Sequence, residues 1–121
     1  MPRFVILEHD HPSRHWDFML EAGDALRTWR LAECPQPGRV IPAEPVFDHR
    51  LVYLDYEGPV SGGRGSVSRW DFGSFTWLAD TPEVVTVALA GSRCRGVATL
   101  RPTGRAEWVF SLTEEERVAS G

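Results

Sequence analysis

The chain has 121 residues, 42% of them hydrophobic and 25% charged, and a formal net charge of −4. That length suits one domain with one core and is short for two. The acidic balance argues against a protein that coats nucleic acid non-specifically, although a local basic site remains compatible with it. No stretch approaches the roughly 20 apolar residues that span a bilayer, and the opening MPRFVILEHD has no signal-peptide core. A cytoplasmic, monomeric protein with no membrane partner is therefore expected.

Long helical periodicity is missing, and short alternating runs broken by Gly, Pro and Asp recur instead. RFVILEH (3–9) reads as a strand. RHWDFMLEA (14–22) alternates strongly, a Gly-Asp pair offers a tight turn, and ALRTWRL (25–31) alternates again, which is the signature of a hairpin. The segment from Cys34 to Phe47 holds four prolines and reads as an extended loop. HRLVYLDY (49–56) suits a short strand or a helical turn, and GPVSGGRG (58–65) a glycine-rich loop. GSVSRWDF, SFTWLA, EVVTVALA, RGVATLRP and RAEWVFSL are further strands, with turns expected at DFG (71–73), ADTP, AGSR and PTG. The tail from about residue 113 reads as one helical turn with a frayed end.

About eight short strands at regular spacing predict an all-β fold with few helical turns. VVTVALA is apolar on both faces, so part of the sheet is covered on both sides. A closed or nearly closed barrel does this and removes exposed edges. Cys34 and Cys94 are far apart, form no CxxC pair and are expected as free thiols.

Three of the four histidines fall within 8-EHDHPSRHWDFMLE-21. Residues i, i+2 and i+4 of a strand share a face. His15, Asp17, Met19 and Glu21 are thus expected to point one way, into the mouth of the barrel, with Trp16, Phe18 and Leu20 pointing to the core. Burying His, Asp and Glu without partners is costly, and a bound cation would supply one. His9, ending the preceding strand, approaches from the neighbouring one. Two imidazoles and a carboxylate with open positions suit Mn²⁺, Fe²⁺ or Zn²⁺. The spacing H-x5-H-x-D is a weak signal by itself, and two ordinary hydrogen-bonded histidines beside an aspartate fit it as well.

A second polar cluster, DHRLVYLDYEG (48–58), places His49 and Tyr53 on one face of either a strand or a helical turn. Both can donate to a phosphate oxygen, and histidine can act as a general acid; a surface histidine and a half-buried tyrosine are the plainer reading. SGGRGS (61–66) can bring backbone N–H groups and Arg64 to an anion, yet it lacks the P-loop pattern, and a flexible hairpin loop explains it equally well. No Ser-His-Asp or Cys-His arrangement is convincing: GxSxG is absent, and Cys34 lies in the proline-rich segment.

The ordered motifs FVILEHD, RHWDFMLE, LRTW, DHRLVYLDYEG, a glycine-rich loop and WDFGSFTW resemble the 3′-phosphoesterase domain of bacterial DNA ligase D, over about Phe4 to Trp77. The resemblance implies a compact β-barrel with a Mn²⁺-dependent site (Zn²⁺ or Co²⁺ as alternatives). It also implies trimming of nucleic-acid 3′ ends at primer-template junctions, by removal of a ribonucleoside and then a 3′-phosphate, with a separate DNA ligase or polymerase as partner. By position, His9, His15 and Asp17 match the metal ligands, and His49 and Tyr53 the phosphate-side pair; Glu21 is expected to support the site. One departure stands out: where the family carries a phosphate-contacting arginine, this chain has Met19, which neither donates nor carries charge. Arg27, on the paired strand, and Arg64, on the glycine loop, are the expected replacements. The alternative reading is a metal-binding module that recognises DNA ends or repair proteins without cutting.

Overall fold

The computed structural model describes residues 1–114. It is built almost wholly from strands: β1 (Arg3–His9), β2 (His15–Ala22), β3 (Ala25–Leu31), β4 (Ile41–Arg50), β5 (Gly58–Pro59), β6 (Ser66–Thr81), β7 (Val84–Gly91), β8 (Arg95–Pro102) and β9 (Trp108–Glu114). A single 3₁₀ turn, Leu51–Leu54, follows β4. The sheet runs β1-β2-β3-β4-β9-β8-β7-β6, and β1 pairs back onto β6, so eight strands form a ring with β5 appended to β6. The weakest seam is β4–β9, which pairs only over Ile41–Ala43. The expected all-β, nearly closed barrel is what the chain forms. Among the described residues, no helix is long and apolar enough to cross a membrane.

The ring closes around one large core. Phe4, Ile6, Trp16, Phe18, Leu20, Trp29, Leu31, Ile41, Phe75, Val85, Val87, Ala98, Leu100 and Phe110 all belong to it, and all eight ring strands contribute. An eight-stranded barrel leaves an interior just wide enough for such side chains. A smaller cluster of Val5, Leu7, Met19, Leu26, Leu54 and Val67 uses the opposite parity of β1, β2 and β3. It lies on the outer face of these strands, where the 3₁₀ turn covers it. β2 is therefore apolar on both sides, and Met19 sits in this second layer at 1% exposure.

Three sequence expectations are corrected. The proline-rich segment 34–47 is not loop throughout, because β4 begins at Ile41. Pro45 is tolerated because β4 has no β9 partner beyond Ala43. Pro42, which pairs with Val109 of β9, lies past the last β3 pair, Leu31 with Ala43, so in both places a ladder bond can be spared. Nor is DFG (71–73) a turn. The two strands expected around it are one sixteen-residue strand, β6, which pairs β1 with its first half and β7 with its second.

Asp71 is 1% exposed there. Its carboxylate accepts from the backbone N–H groups of Ser92 (2.8 Å), Arg93 (3.1 Å) and Cys94 (2.8 Å), tying down the turn after β7. Only glycine fits at position 91, since a Cβ there would come within 2.3 Å of Asp71 Oδ2 and 2.7 Å of Phe4. The third correction concerns the tail. Thr113 and Glu114 continue β9, and the remainder lies outside the described residues. Cys34 and Cys94 are both free thiols, and burial pushes Cys94 up to about 12.

Candidate functional site

β1 and β2 form an antiparallel hairpin whose last paired residues are His9 and His15, with Leu7 opposite Asp17. Odd-numbered residues of both strands share the outer face with Val5, Leu7 and Met19. His9, His15 and Asp17 therefore stand outside the barrel, and not inside its mouth as the alternation alone suggested. The interior was already filled by the aromatic and aliphatic residues of the other parity.

The three side chains converge. Asp17 Oδ2 lies 3.3 Å from His15 Nε2 and 3.7 Å from His9 Nδ1. One ligand atom from each residue falls within 4.8 Å of the others, a spacing that can hold a metal ion. The outward nitrogen of each ring is anchored. His15 Nδ1–H donates to the Ser13 carbonyl at 2.9 Å, and His9 Nε2–H donates to the Arg64 carbonyl at 2.7 Å. This leaves the lone pairs of His15 Nε2 and His9 Nδ1 turned toward a carboxylate oxygen. His15 Nε2 is buried and makes no hydrogen bond. An imidazole lone pair aimed at a carboxylate is unfavourable unless a cation stands between them, either a proton or a metal. The donor set fits a divalent ion. In the unligated protein the adjacent Asp17 carboxylate raises the His15 pKa, against the opposing effect of burial.

The loop after β5 reaches the site through β1. Asp10 Oδ1 accepts from the Ser66 N–H at 2.9 Å, and His9 is held by the Arg64 carbonyl. Gly65, at φ +72°, is required here, because a Cβ would approach Asp10 Oδ1 to 2.1 Å. Arg64 folds back onto its own loop, donating from Nε to the Ser61 carbonyl at 2.7 Å.

Facing His9 and Asp17 across a cavity of about 370 Å³ are Phe47, His49, Arg50 and Tyr53, with Arg30, Met19 and Arg64 also in its wall. His49 Nδ1–H donates to the Phe47 carbonyl at 3.0 Å, which leaves Nε2 available to a ligand. Burial lowers the His49 pKa, against the pull of Asp17, so the ring is neutral near neutral pH. Tyr53 packs edge-on against His49, with centroids 5.7 Å apart, from the 3₁₀ turn. Its hydroxyl makes no hydrogen bond among the described residues. Phe47 stacks parallel on His49 at 5.0 Å and is 77% exposed, so its other face is open at the cavity mouth. Of the two alternatives read for 49–56, the helical turn forms, over residues 51–54.

Two expected site residues lie elsewhere. Glu21 shares the outer face but sits four residues from Asp17 on β2, about 13 Å away. It accepts from the Arg3 backbone N–H at 2.8 Å and does not line the cavity. Arg27 is on the paired strand, as expected, but on the wrong parity. It stands opposite Leu20, on the face of Trp29, where it pairs with Asp80 at 2.9 Å. Arg30, which sequence reasoning passed over, stands directly opposite Asp17. The signal for it was present: a two-residue turn at Gly23-Asp24 pairs Ala22 with Ala25, and counting back from there places Arg30 beside Asp17.

Comparisons with known proteins point to one family. The DNA Ligase D 3′-phosphoesterase domain family matches residues 7–101. The chain is 36% identical over 86 residues to the multifunctional non-homologous end joining protein LigD of Pseudomonas aeruginosa, covering 67% of this chain and 10% of that protein. It is 30% identical over 123 residues to the multifunctional non-homologous end joining DNA repair protein LigD of Mycobacterium tuberculosis, covering 94% of this chain and 16% of that protein. The chain thus spans a small part, 10% and 16%, of the curated relatives it matches.

Proposed function

The chain belongs to the DNA ligase D 3′-phosphoesterase domain family, and from that premise we propose that it is a metal-dependent phosphoesterase that trims nucleic-acid 3′ ends in end-joining DNA repair. One observation carries this reading. Two imidazoles, each anchored through its outer nitrogen, turn their inner nitrogens onto a single carboxylate at the edge of a cavity that also holds His49 and Tyr53. His9, His15 and Asp17 would hold the ion, Mn²⁺ foremost and Zn²⁺ or Co²⁺ as alternatives. When bound, it polarises the phosphoryl group and makes water a better nucleophile.

The protein's own groups supply the rest. Asp17 orients and charge-balances the two imidazoles. His49, held by the Phe47 carbonyl, presents Nε2 to the phosphate. It is neutral in the free protein and gains a proton most readily when an anionic phosphate arrives beside it, so that it can donate to the leaving oxygen. The unspent Tyr53 hydroxyl donates to a phosphate oxygen. Phe47 offers its open face to the terminal base, since aromatic stacking is tolerant of sequence. The product end, a 3′-OH, is what a separate ligase or polymerase consumes.

A second reading is favoured by Met19, buried among Val5, Leu7 and Leu26, which brings no charge to the phosphate. Under it, the protein binds a metal and a DNA end without cutting. One assay separates the two. Purified protein with Mn²⁺ is given a primer-template ending in a 3′-phosphate or a single ribonucleotide. Trimming that His15→Ala abolishes supports the enzyme. No trimming above the His15→Ala background overturns it, and activity gained by Met19→Arg in an inert wild type establishes the binding module.

A further inference from the structure

The phosphate proposed to occupy this cavity needs a cation, and the side chains on the outer face decide which one it is. From Asp17, the next outward position on β2 is Met19, which is packed in the apolar layer. Its cross-strand partner, Thr28, is buried and donates its hydroxyl to the Leu26 carbonyl at 3.0 Å. Neither can serve an anion. The remaining neighbour is Arg30, directly across the β2–β3 ladder from Asp17. Directly opposed residues have Cβ atoms about 4.5–5.5 Å apart, so the long Arg30 side chain rises from the strand beside the triad.

We propose that Arg30 is the phosphate-binding cation of this site, reaching the substrate from β3 where the chain offers nothing from β2. The inference rests on the phosphoesterase reading of the cavity and names the residue that makes it work in this chain. Arg30 lines the cavity together with His9, Asp17, His49 and Tyr53. It is exposed, and no carboxylate among the described residues forms an ion pair with it. Of the other arginines nearby, Arg14 pairs with Glu8 at 3.0 Å, Arg27 pairs with Asp80 at 2.9 Å, and Arg64 is folded onto the Ser61 carbonyl at 2.7 Å. Arg50, also in the cavity wall, lies over the Tyr53 ring at 5.9 Å and is not directly opposite Asp17. A guanidinium held without an internal partner presents its planar fork to a tetrahedral phosphate.

Arg30 also lines a neighbouring cavity of about 560 Å³, shared with Arg14, Thr103 and Trp108. That cavity is also lined by His15, so a phosphate gripped by Arg30 has room for a nucleotide beside the triad, toward Thr103 and Trp108. That favours the end of a polynucleotide strand over a compact phosphate monoester.

The experiment measures inorganic phosphate as a competitive inhibitor, and 3′-end trimming, for the Mn²⁺-loaded wild type, Arg30→Gln, Arg30→Lys and Arg27→Gln. Mn²⁺ affinity and circular dichroism are recorded alongside. Arg30→Gln is expected to weaken phosphate roughly tenfold to a hundredfold, the worth of one charged hydrogen-bonding contact. Mn²⁺ binding and the fold should be unchanged, Arg30→Lys should recover part of the loss, and Arg27→Gln should resemble wild type. Equal phosphate affinity in Arg30→Gln and a trimming wild type sinks the Arg30 assignment while the phosphoesterase reading stands. A wild type that takes up Mn²⁺ but neither binds phosphate nor trims sinks both.

Discussion

His9 and His15 face each other as the last pair of the β1–β2 ladder, their ring centroids 4.8 Å apart, and both turn a nitrogen toward the same oxygen of Asp17. With no cation between them, the inner lone pairs and the carboxylate repel. The folded protein therefore holds an arrangement that a divalent ion relieves. An ion bound only by the folded state adds about 2.7 kcal/mol at a hundred times its dissociation constant. Mn²⁺ is expected to raise the unfolding midpoint of the wild type and to leave His15→Ala unmoved. Coincident melting curves with Mn²⁺ and with chelator would remove the metal site.

The same geometry sets a pH dependence. Asp17 raises the His15 pKa above its ordinary 6.5. The stability this contributes to the metal-free protein is present below pH 6.5 and is lost as pH rises through the folded value. Metal uptake displaces that proton. Mn²⁺ should bind more weakly as pH falls toward 6, with net proton release near pH 6.5. Calorimetry in two buffers of different ionisation heat reads the release directly; identical apparent enthalpies in both buffers would contradict it.

His49 and Tyr53 stand across the cavity from His9 and Asp17 and are tied into the fold through Phe47 and the 3₁₀ turn. His49→Ala is expected to lower kcat by roughly a hundredfold to ten-thousandfold, the usual worth of a positioned proton donor, with Mn²⁺ affinity intact. Tyr53→Phe should mainly raise KM. If His49→Ala loses metal and activity together, His49 belongs with the ligands and not with the phosphate.

Gly65 couples the glycine loop to the triad. Alanine at this position meets Asp10 Oδ1 and adopts a left-handed backbone, which costs about 1–3 kcal/mol. The loop then shifts, and the Arg64 carbonyl leaves His9 Nε2. Gly65→Ala should lower both stability and Mn²⁺ affinity, as read by denaturation and metal titration. Unchanged metal affinity in a folded variant would mean that His9 needs no anchor from the loop.

Asp71 offers a test remote from the site. Asp71→Ala strands three backbone N–H groups of residues 92–94, one of them buried. The expected cost is at least ~2–3 kcal/mol, visible as a lower denaturation midpoint with Mn²⁺ binding retained. A midpoint within a few tenths of wild type would show that water replaces the carboxylate there.

Much of this was legible in the residues. The alternation of 14–22 and 25–31 about Gly23-Asp24 was enough to place the β2–β3 hairpin, and His15 and Asp17 two apart had to share a face. Arg30 was within reach by counting from that turn, but Arg27 looked equally good to a reading that did not carry parity across the ladder. DFG was misread because Gly and Asp commonly mark turns. In the folded protein the glycine is needed where β6 packs against Ala90, and the aspartate where it caps residues 92–94.

The sequence by itself determined the local pairings and the sharing of faces, because a period of two and a two-residue turn are properties of adjacent residues. Which face became the barrel interior was decided only by the tertiary structure. β2 carries apolar side chains on both sides, and ring closure alone assigned Phe18 to the inside and Met19, with Asp17 and His15, to the outside. The meeting of that outer face with His49, Tyr53 and the Gly65 loop, tens of residues away, depends on the same closure, and no local pattern encodes it.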